Sequence, residues 1–165
     1  MYFPVSPLKL IVMSICTFGV YQLFWSFSNW YMIKEREESN ISPIWRAIFG
    51  FVFCYPLFKR IRATAESRQL GRPLAAGPLA AGWVIFAVLD WLPEPLSLVA
   101  FFSVLFLLPV QKTVNMINLA TDPGHDPNSS FTGWNIACVV IGGLVWVLAF
   151  IGLFLPSQMS VLNSR

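Results

Sequence analysis

Charged side chains are scarce in this sequence. Asp, Glu, Lys and Arg together make up 12% of the 165 residues, about half the share that is usual in a soluble domain. Apolar residues make up 56%, and they are grouped into long blocks. We therefore predict an integral membrane protein in which one membrane domain occupies the chain and leaves no length for a separate soluble catalytic domain.

Residues suited to metal binding or acid–base catalysis are also few. The only histidine, His125, lies in the turn-rich segment TDPGHDP, which is more typical of a solvated loop than of a metal site. The cysteines Cys16, Cys54 and Cys138 each stand alone in an apolar block, so neither a disulfide nor a zinc site is expected. Asp90 is the one acid well inside an apolar block, but the LPEP turn after it favours a position at the membrane surface. We expect no catalytic residue, metal or cofactor, and hence no enzyme.

Four apolar blocks are predicted to span the membrane. The first, residues 8–33, ends at the charged segment KEREESN, and aromatic residues crowd that end as they do at a headgroup interface. Residues 74–92 and 96–110 form a hairpin around the PEP turn, and residues 133–155 form the last span. Because the third block has only about 15 residues, we expect its helix to continue beyond Pro109 into QKTVNMINLA.

A fifth apolar stretch, SPIWRAIFGFVFCYPLFKRIR at residues 42–62, is predicted not to span. A helix over residues 43–70, kinked at Pro56, would begin at a favourable Ser-Pro pair. Its apolar part, residues 47–58, rises about 18 Å against a hydrocarbon core of about 30 Å. The stretch is apolar all the way round, which excludes a loose surface helix. We predict a membrane-embedded or re-entrant helix on the cytoplasmic side.

The distribution of basic residues favours the same four-span arrangement. If residues 34–73 lie on one side, that side carries nine of the eleven lysines and arginines once Lys112 is added, and the other side carries Lys9 and Arg165. If residues 43–58 also span, the split falls to seven against four. The positive-inside rule therefore predicts four spans with both termini outside the cytoplasm. The five-span alternative stays open, and it would place the N-terminus in the cytoplasm.

The basic residues of the fifth stretch form the first candidate site. Bases near anionic headgroups contribute about 1 kcal/mol each to membrane binding. We therefore predict a patch that binds anionic lipid headgroups or a partner protein. Its members are Arg46, Lys59, Arg60 and Arg62.

The first span carries the second candidate site, an intramembrane polar face of Ser14, Thr17, Tyr21 and Gln22. One interpretation is a polar pathway or ligand pocket. The other, which we favour, is hydrogen bonding between helices, worth about 0.6 kcal/mol per contact. No charge lies at mid-membrane, which argues against the pathway.

The last span carries a face of mostly small residues, which lets another backbone approach closely. This face includes Cys138, Gly142, Ala149 and Gly152. It could pack within the monomer or between protomers of a homo-oligomer. Packing within the monomer is the first expectation, because four short helices need an interior.

Three phrases carry a resemblance to a known family: SICTFGVYQLFWSFSNW, PIWRAIFGFVFCYPLFKRI and LPVQKTVNMIN. In the order and spacing of their tryptophan, arginine and lysine-arginine residues they are similar to a family of small bacterial membrane proteins of unknown function. The resemblance implies a multi-pass protein of the bacterial inner membrane. It implies no activity and no catalytic residue.

The sequence thus predicts an all-α integral membrane protein with four transmembrane helices and one embedded helix. The leading hypothesis is a non-enzymatic protein that acts through helix packing and its basic cytoplasmic face on lipids or a partner protein. The alternative is a small transporter or channel subunit with a polar path along the first helix. A membrane enzyme acting on lipids is the least favoured class, and nothing points to nucleic acid.

Overall fold

The computed structural model describes residues 1–89 and 96–154. Helices account for all the regular structure in these residues, and no strand occurs among them, so the all-α prediction is confirmed. A 3₁₀ segment, Leu96–Ser103, leads directly into α6. The helices are α1 (Pro7–Cys16), α2 (Val20–Glu37), α3 (Pro43–Ile48), α4 (Gly50–Ser67), α5 (Ala76–Val88), α6 (Val104–Thr121) and α7 (Gly133–Phe154).

The first apolar block is two helices rather than one. Phe18 and Gly19 adopt positive φ angles of 51° and 85°, and the Gly19 N–H bonds to the Ser14 carbonyl at 2.8 Å. The left-handed residue Phe18 also bonds from its N–H to the Ile15 carbonyl at 3.2 Å, and this pair of hydrogen bonds is a common helix stop. The prediction of a single helix over residues 8–33 is therefore wrong. The apolar pattern runs through the turn without interruption, so hydropathy does not reveal it.

After this turn the chain runs back along itself. The Phe3 N–H donates to Asn29 Oδ1 at 3.1 Å, and the ring of Phe3 meets that of Phe24 edge-on at 5.5 Å between centroids. The chain before α1 therefore lies beside the middle of α2. Residues 1–37 form a helical hairpin whose tip is the turn at residues 17–19.

The N-terminus lies among basic residues. The Tyr2 side chain is fully buried, and its hydroxyl is 2.8 Å from Thr64 Oγ1 and within 3.4 Å of the Arg36 guanidinium. It also donates to the Arg60 carbonyl at 3.3 Å. We call this end of the bundle, where Arg36, Arg60 and Arg68 surround residues 1–2, the basic end. The prediction that the N-terminus lies on the opposite side from these bases is therefore wrong.

The fifth apolar stretch folds as two helices with a break at Phe49. Along α3 the chain leaves the basic end, because Gly50 shortly after it lies beside Trp83, which bonds to Gln22 near the start of α2. Along α4 it returns, from Gly50 beside Trp83 to bases that pair with the end of α2. The expected single helix over 43–70 is thus wrong, and Pro56 causes no break inside α4. The chain therefore leaves the basic end along α3 and comes back to it along α4.

Two helical segments are long and apolar enough to cross a membrane. They are Leu98–Thr121, of 24 residues, and Gly133–Gly152, of 20 residues. The first runs without interruption through Pro109, which confirms the expected continuation of the third block. By contrast, α5 has 13 residues and rises about 20 Å, which is less than a hydrocarbon core, and residues 90–92 of the predicted span at 74–92 lie outside the described residues. Four spanning helices are not confirmed.

The core lies between α2, α4 and α6, and α7 lies outside it. Trp25, Trp30 and Phe58 are among the largest fully buried side chains. Only 6% of the Gly133–Gly152 span is buried, whereas 39% of Leu98–Thr121 is buried. An apolar helix of this length with a bare outer surface is unusual in water, since monomeric soluble proteins rarely expose large contiguous apolar patches.

Candidate functional site

The predicted basic patch separates into two pairs of residues. Arg46 and Arg60 face α2, where the Arg46 guanidinium lies 4.3 Å from the ring centroid of Trp30 and 5.2 Å from that of Phe53. Arg60 lies 5.7 Å from the same Trp30 ring. Stacking of cations on aromatic faces stabilises them in partly dehydrated surroundings. This pair therefore holds α3 and α4 against α2.

Glu37 completes the contacts of this pair at the end of α2. Its carboxylate accepts hydrogen bonds from Arg60 and, at 3.1 Å, from Arg36. These arginines, Arg60 first, hold the pKa of Glu37 below its usual range. Glu37 therefore ties α2 to α4 at the basic end.

This network predicts a dependence of stability on pH. Because the Glu37 pKa is lowered in the folded protein, its contribution to stability is present above the ordinary glutamate pKa of 4.5 and is lost as the pH falls through the lowered value. Glu37→Gln should reduce the loss of thermal stability between pH 5 and about pH 3. The effect should be small, since the pair is partly solvated.

The control for this prediction is Glu35→Gln, at an exposed position two residues away. The measurement is the thermal midpoint of the detergent-solubilised protein across the pH series. An unchanged pH profile in Glu37→Gln, or an equal change in Glu35→Gln, would contradict the assignment.

Lys59 and Arg62, the other two members of the patch, line an open groove between α4 and the start of α5. We call it the basic groove. It has a volume of about 270 Å³, and Arg62 Nε lies 2.7 Å from the Glu66 carboxylate at its edge. Two cations against one acid leave the groove with a net positive charge. Its lining residues are Tyr55, Lys59, Arg62, Ala63, Glu66, Ala76 and Gly77.

The predicted polar face of the first block lies at the α1–α2 turn and in the core. Thr17 Oγ1 donates to the Met13 carbonyl at 2.7 Å and accepts from the Tyr21 N–H at 2.9 Å. Thr17 therefore closes the turn between the two helices. Ser14 and Tyr21 are buried.

Gln22 lies at the centre of a small hydrogen-bonded cluster. Trp83 Nε1 donates to Gln22 Oε1 at 2.6 Å, and Gln22 Nε2 donates to Ser103 Oγ at 3.1 Å. The cavity beside this cluster has a volume of about 10 Å³, which is room for about one water molecule. In the part of the chain that the structure describes, the side chains of Gln22, Trp83 and Ser103 are therefore bonded to one another.

The small-residue face of the last block is only partly in contact with the rest of the chain. A Cβ atom added to Gly142 would lie 1.9 Å from the Cys16 carbonyl oxygen, so α1 and α7 touch backbone to backbone here. Cys138, Ala149 and Gly152 are exposed. The structure therefore brings Gly142 into the monomer and leaves the other three residues on the outer surface.

The sequence argument missed a set of side-chain amides that surround the N-terminal segment. Three of them lie on α6 at Gln111, Asn115 and Asn118, and they contact residues more than 100 positions earlier in the chain. Their spacing of four and three residues places them on one face of a helix. That spacing could have indicated a polar face on this helix, but it does not show that the face binds the N-terminal segment.

The remaining candidates add no site. His125 Nδ1 lies 2.7 Å from the Asp122 carbonyl in an exposed loop, and no cluster of three potential metal ligands occurs among the described residues. Asp90 lies outside the described residues. Comparison with protein-family models, with curated proteins and with solved structures found no match.

Proposed function

We propose that this protein is a non-enzymatic, multi-pass protein of the bacterial inner membrane that binds anionic lipid headgroups in the basic groove. Support for the membrane comes from α7, which packs on α1 along one face and exposes most of its apolar side chains. Contact of these side chains with lipid chains has no hydrophobic cost, whereas their contact with water is unfavourable. The bacterial setting rests on the resemblance of the three sequence phrases.

The proposed orientation follows from the placement of charge. Arg36, Arg60 and Arg68 lie at one end of the bundle, together with the N-terminus. Basic residues are enriched on the cytoplasmic side of membrane proteins. We therefore assign the basic end, with residues 1–2, to the cytoplasm. The middle of α7, where Gly142 meets Cys16, then lies deeper in the membrane.

The observation that carries the headgroup proposal is the pair Lys59 and Arg62 in one open groove at this end. An ammonium group and a planar guanidinium suit a phosphate, the first as a point charge and the second as a fork of donors. Tyr55, on the same side of α4, adds a ring and a hydroxyl of the kind found at membrane interfaces. The other pair, Arg46 and Arg60, is occupied by aromatic rings and Glu37.

The test is phosphatidylglycerol binding by the double variant Lys59→Gln/Arg62→Gln. At about 1 kcal/mol for each base, apparent affinity should fall about thirtyfold. Native mass spectrometry of the detergent-solubilised protein, titrated with phosphatidylglycerol or phosphatidylcholine, measures the lipid bound. Phosphatidylcholine binding should not change.

The matched control is Lys34→Gln/Lys112→Gln, which removes the same charge outside the groove. This double variant should keep most of the affinity for phosphatidylglycerol. Equal losses in the two double variants would mean that only net charge attracts the lipid, and the groove would not be a site.

A further inference from the structure

The N-terminal segment, residues 1–6, is a non-helical peptide held in a groove lined by side-chain amides. Every backbone carbonyl from Tyr2 to Val5 accepts a hydrogen bond from one of these amides. Two of the N–H groups in the same stretch donate to them. We call this site the amide groove, and its five amide residues are Asn29, Gln111, Asn115, Asn118 and Asn128.

Asn118 makes the most complete contact. Its Oδ1 accepts from the Tyr2 N–H, and its Nδ2 donates to the Tyr2 carbonyl, both at 2.8 Å. One amide thus binds both polar groups of one residue, as the neighbouring strand does in a β-sheet. This contact depends on backbone alone and not on the identity of the bound side chain.

The remaining amides continue this pairing along the segment. Gln111 Nε2 donates to the Phe3 carbonyl at 3.2 Å, and Asn29 Oδ1 accepts from the Phe3 N–H at 3.1 Å. Asn128 Nδ2 donates to the Pro4 carbonyl, and Asn115 Nδ2 to the Val5 carbonyl, both at 3.0 Å. Since proline has no N–H, the segment presents mostly acceptors, which matches these donors.

Several of these amides are also held by partners outside the segment. Asn29, Gln111 and Asn118 are fully buried. Trp25 Nε1 donates to Gln111 Oε1 at 2.6 Å, and Asn29 Nδ2 donates to the Trp25 carbonyl at 2.9 Å. A buried amide without partners costs about 1–3 kcal/mol for each unsatisfied group. A cluster of this kind is favourable only when an extended backbone fills it.

Two side-chain pockets add selectivity to this backbone recognition. Tyr2 and Val5 are both fully buried. The Arg36 guanidinium lies 4.8 Å from the Tyr2 ring centroid, and the Tyr2 hydroxyl meets Thr64. Main-chain hydrogen bonds for affinity and a few pockets for specificity are the general means by which grooves recognise extended peptides.

We propose that the amide groove is a peptide-binding site whose ligand is the chain's own N-terminal segment, and that it accepts the same segment supplied as a separate peptide. The class of ligand is an extended peptide with an aromatic residue and, three positions later, an apolar residue. None of the six hydrogen bonds needs the covalent joint to α1, which begins directly after Ser6. The proposal does not depend on the lipid site.

The test is binding of the peptide Met-Tyr-Phe-Pro-Val-Ser to a chain that lacks residues 2–5. The shortened chain should bind one fluorescently labelled peptide, and its thermal midpoint should rise towards that of the full chain. The full chain should not bind the peptide, because its groove is filled. A peptide with alanine at its second position, or with a methylated amide nitrogen there, should bind at least about tenfold more weakly.

Matched variants of the shortened chain locate the site. Asn118→Ala should weaken peptide binding about tenfold, because it removes both contacts to Tyr2. Asn40→Ala, an exposed amide on the α2–α3 connection, should leave peptide binding unchanged. A shortened chain that folds but does not bind the peptide, or equal effects of the two alanine variants, would overturn the proposal.

A second measurement covers the case in which the shortened chain does not fold. In the full-length protein, an aminopeptidase should remove Met1 and Tyr2 much faster from the Asn29→Ala/Asn118→Ala variant than from the wild type or Asn40→Ala. Mass spectrometry measures the trimming. Equal resistance of all three proteins would show that the amides do not hold the segment, and the proposal would fail.

Discussion

Gly142→Ala is expected to destabilise the protein by about 1–3 kcal/mol, the usual range for adding a methyl group where there is no room. The added Cβ would lie 1.9 Å from the Cys16 carbonyl oxygen and 2.7 Å from its carbonyl carbon. Both are backbone atoms, so no flexible side chain can move aside, and α1 and α7 must separate. The measurement is the thermal midpoint in lipid nanodiscs.

The adjacent residue provides the control for this prediction. Gly143 lies on the same helix, and an added Cβ there meets no atom within 4 Å. Gly143→Ala should keep or raise the thermal midpoint, because alanine favours helix over glycine by about 1 kcal/mol in water. Equal losses in the two variants would mean that helix flexibility, rather than close packing, explains the Gly142 effect.

A second contact makes the Gly142 effect specific to α1. Trp146, one turn further along α7, donates from Nε1 to the Ile15 carbonyl at 3.2 Å, and its ring stacks on Phe18 at 5.4 Å. Ile15 and Cys16 are the last residues before the turn at Phe18. If α7 shifts outward, the turn between α1 and α2 therefore also loses its contacts with Trp146.

This contact also shows what the sequence could and could not predict. The small-residue face that includes Gly142 is visible from helical spacing. Its partner is not, because the contact joins residues about 126 positions apart in a chain whose first block gives no sign of ending at Cys16. The turn is made by Phe18 and Gly19 at positive φ, and neither residue interrupts the apolar pattern of the block.

The short apolar length and flanking charge of the fifth stretch predict that residues 43–58 do not form a simple span, and this stays a prediction. The structure shows two helices in this stretch, and the chain turns back between them. The break, however, lies at Phe49, where aromatic residues rather than proline mark the change of direction. Pro56 stays inside α4, since a proline in a helix is tolerated when neighbouring groups absorb the distortion.

The position of the N-terminus was beyond the sequence argument for a different reason. Charge counting treats each connecting segment as lying wholly on one side of the membrane. Here residues 2–5 are packed against the helices, and the side chains of Asn29 and Asn118 form hydrogen bonds with their backbone N–H groups. Amide side chains carry no charge, so they do not enter the count of basic residues that predicted the side of the membrane for the N-terminus.

Gln22→Leu is expected to destabilise the protein by about 1–3 kcal/mol, the cost of leaving a buried polar group without its partner. The substitution removes the acceptor of Trp83 Nε1 and the donor to Ser103, and all three side chains are buried in the core. Trp83→Phe in the same background tests the assignment, since removing the indole N–H should cost less once Gln22 is already gone. We expect a coupling energy of about 0.6–1.7 kcal/mol, the range found for hydrogen bonds between membrane helices.

This cycle also separates the two interpretations of the polar face. If Gln22 stabilises the bundle by its hydrogen bond to Trp83, Gln22→Leu lowers the thermal midpoint in nanodiscs, and the coupling energy between Gln22 and Trp83 is positive. If Gln22 instead lines a pathway for a polar solute, Gln22→Leu should leave the thermal midpoint unchanged, because a solvated side chain has no buried partner to lose. The 2.6 Å bond to Trp83 and a cavity with room for about one water favour the first outcome, so an unchanged midpoint with no coupling would revive the transporter alternative.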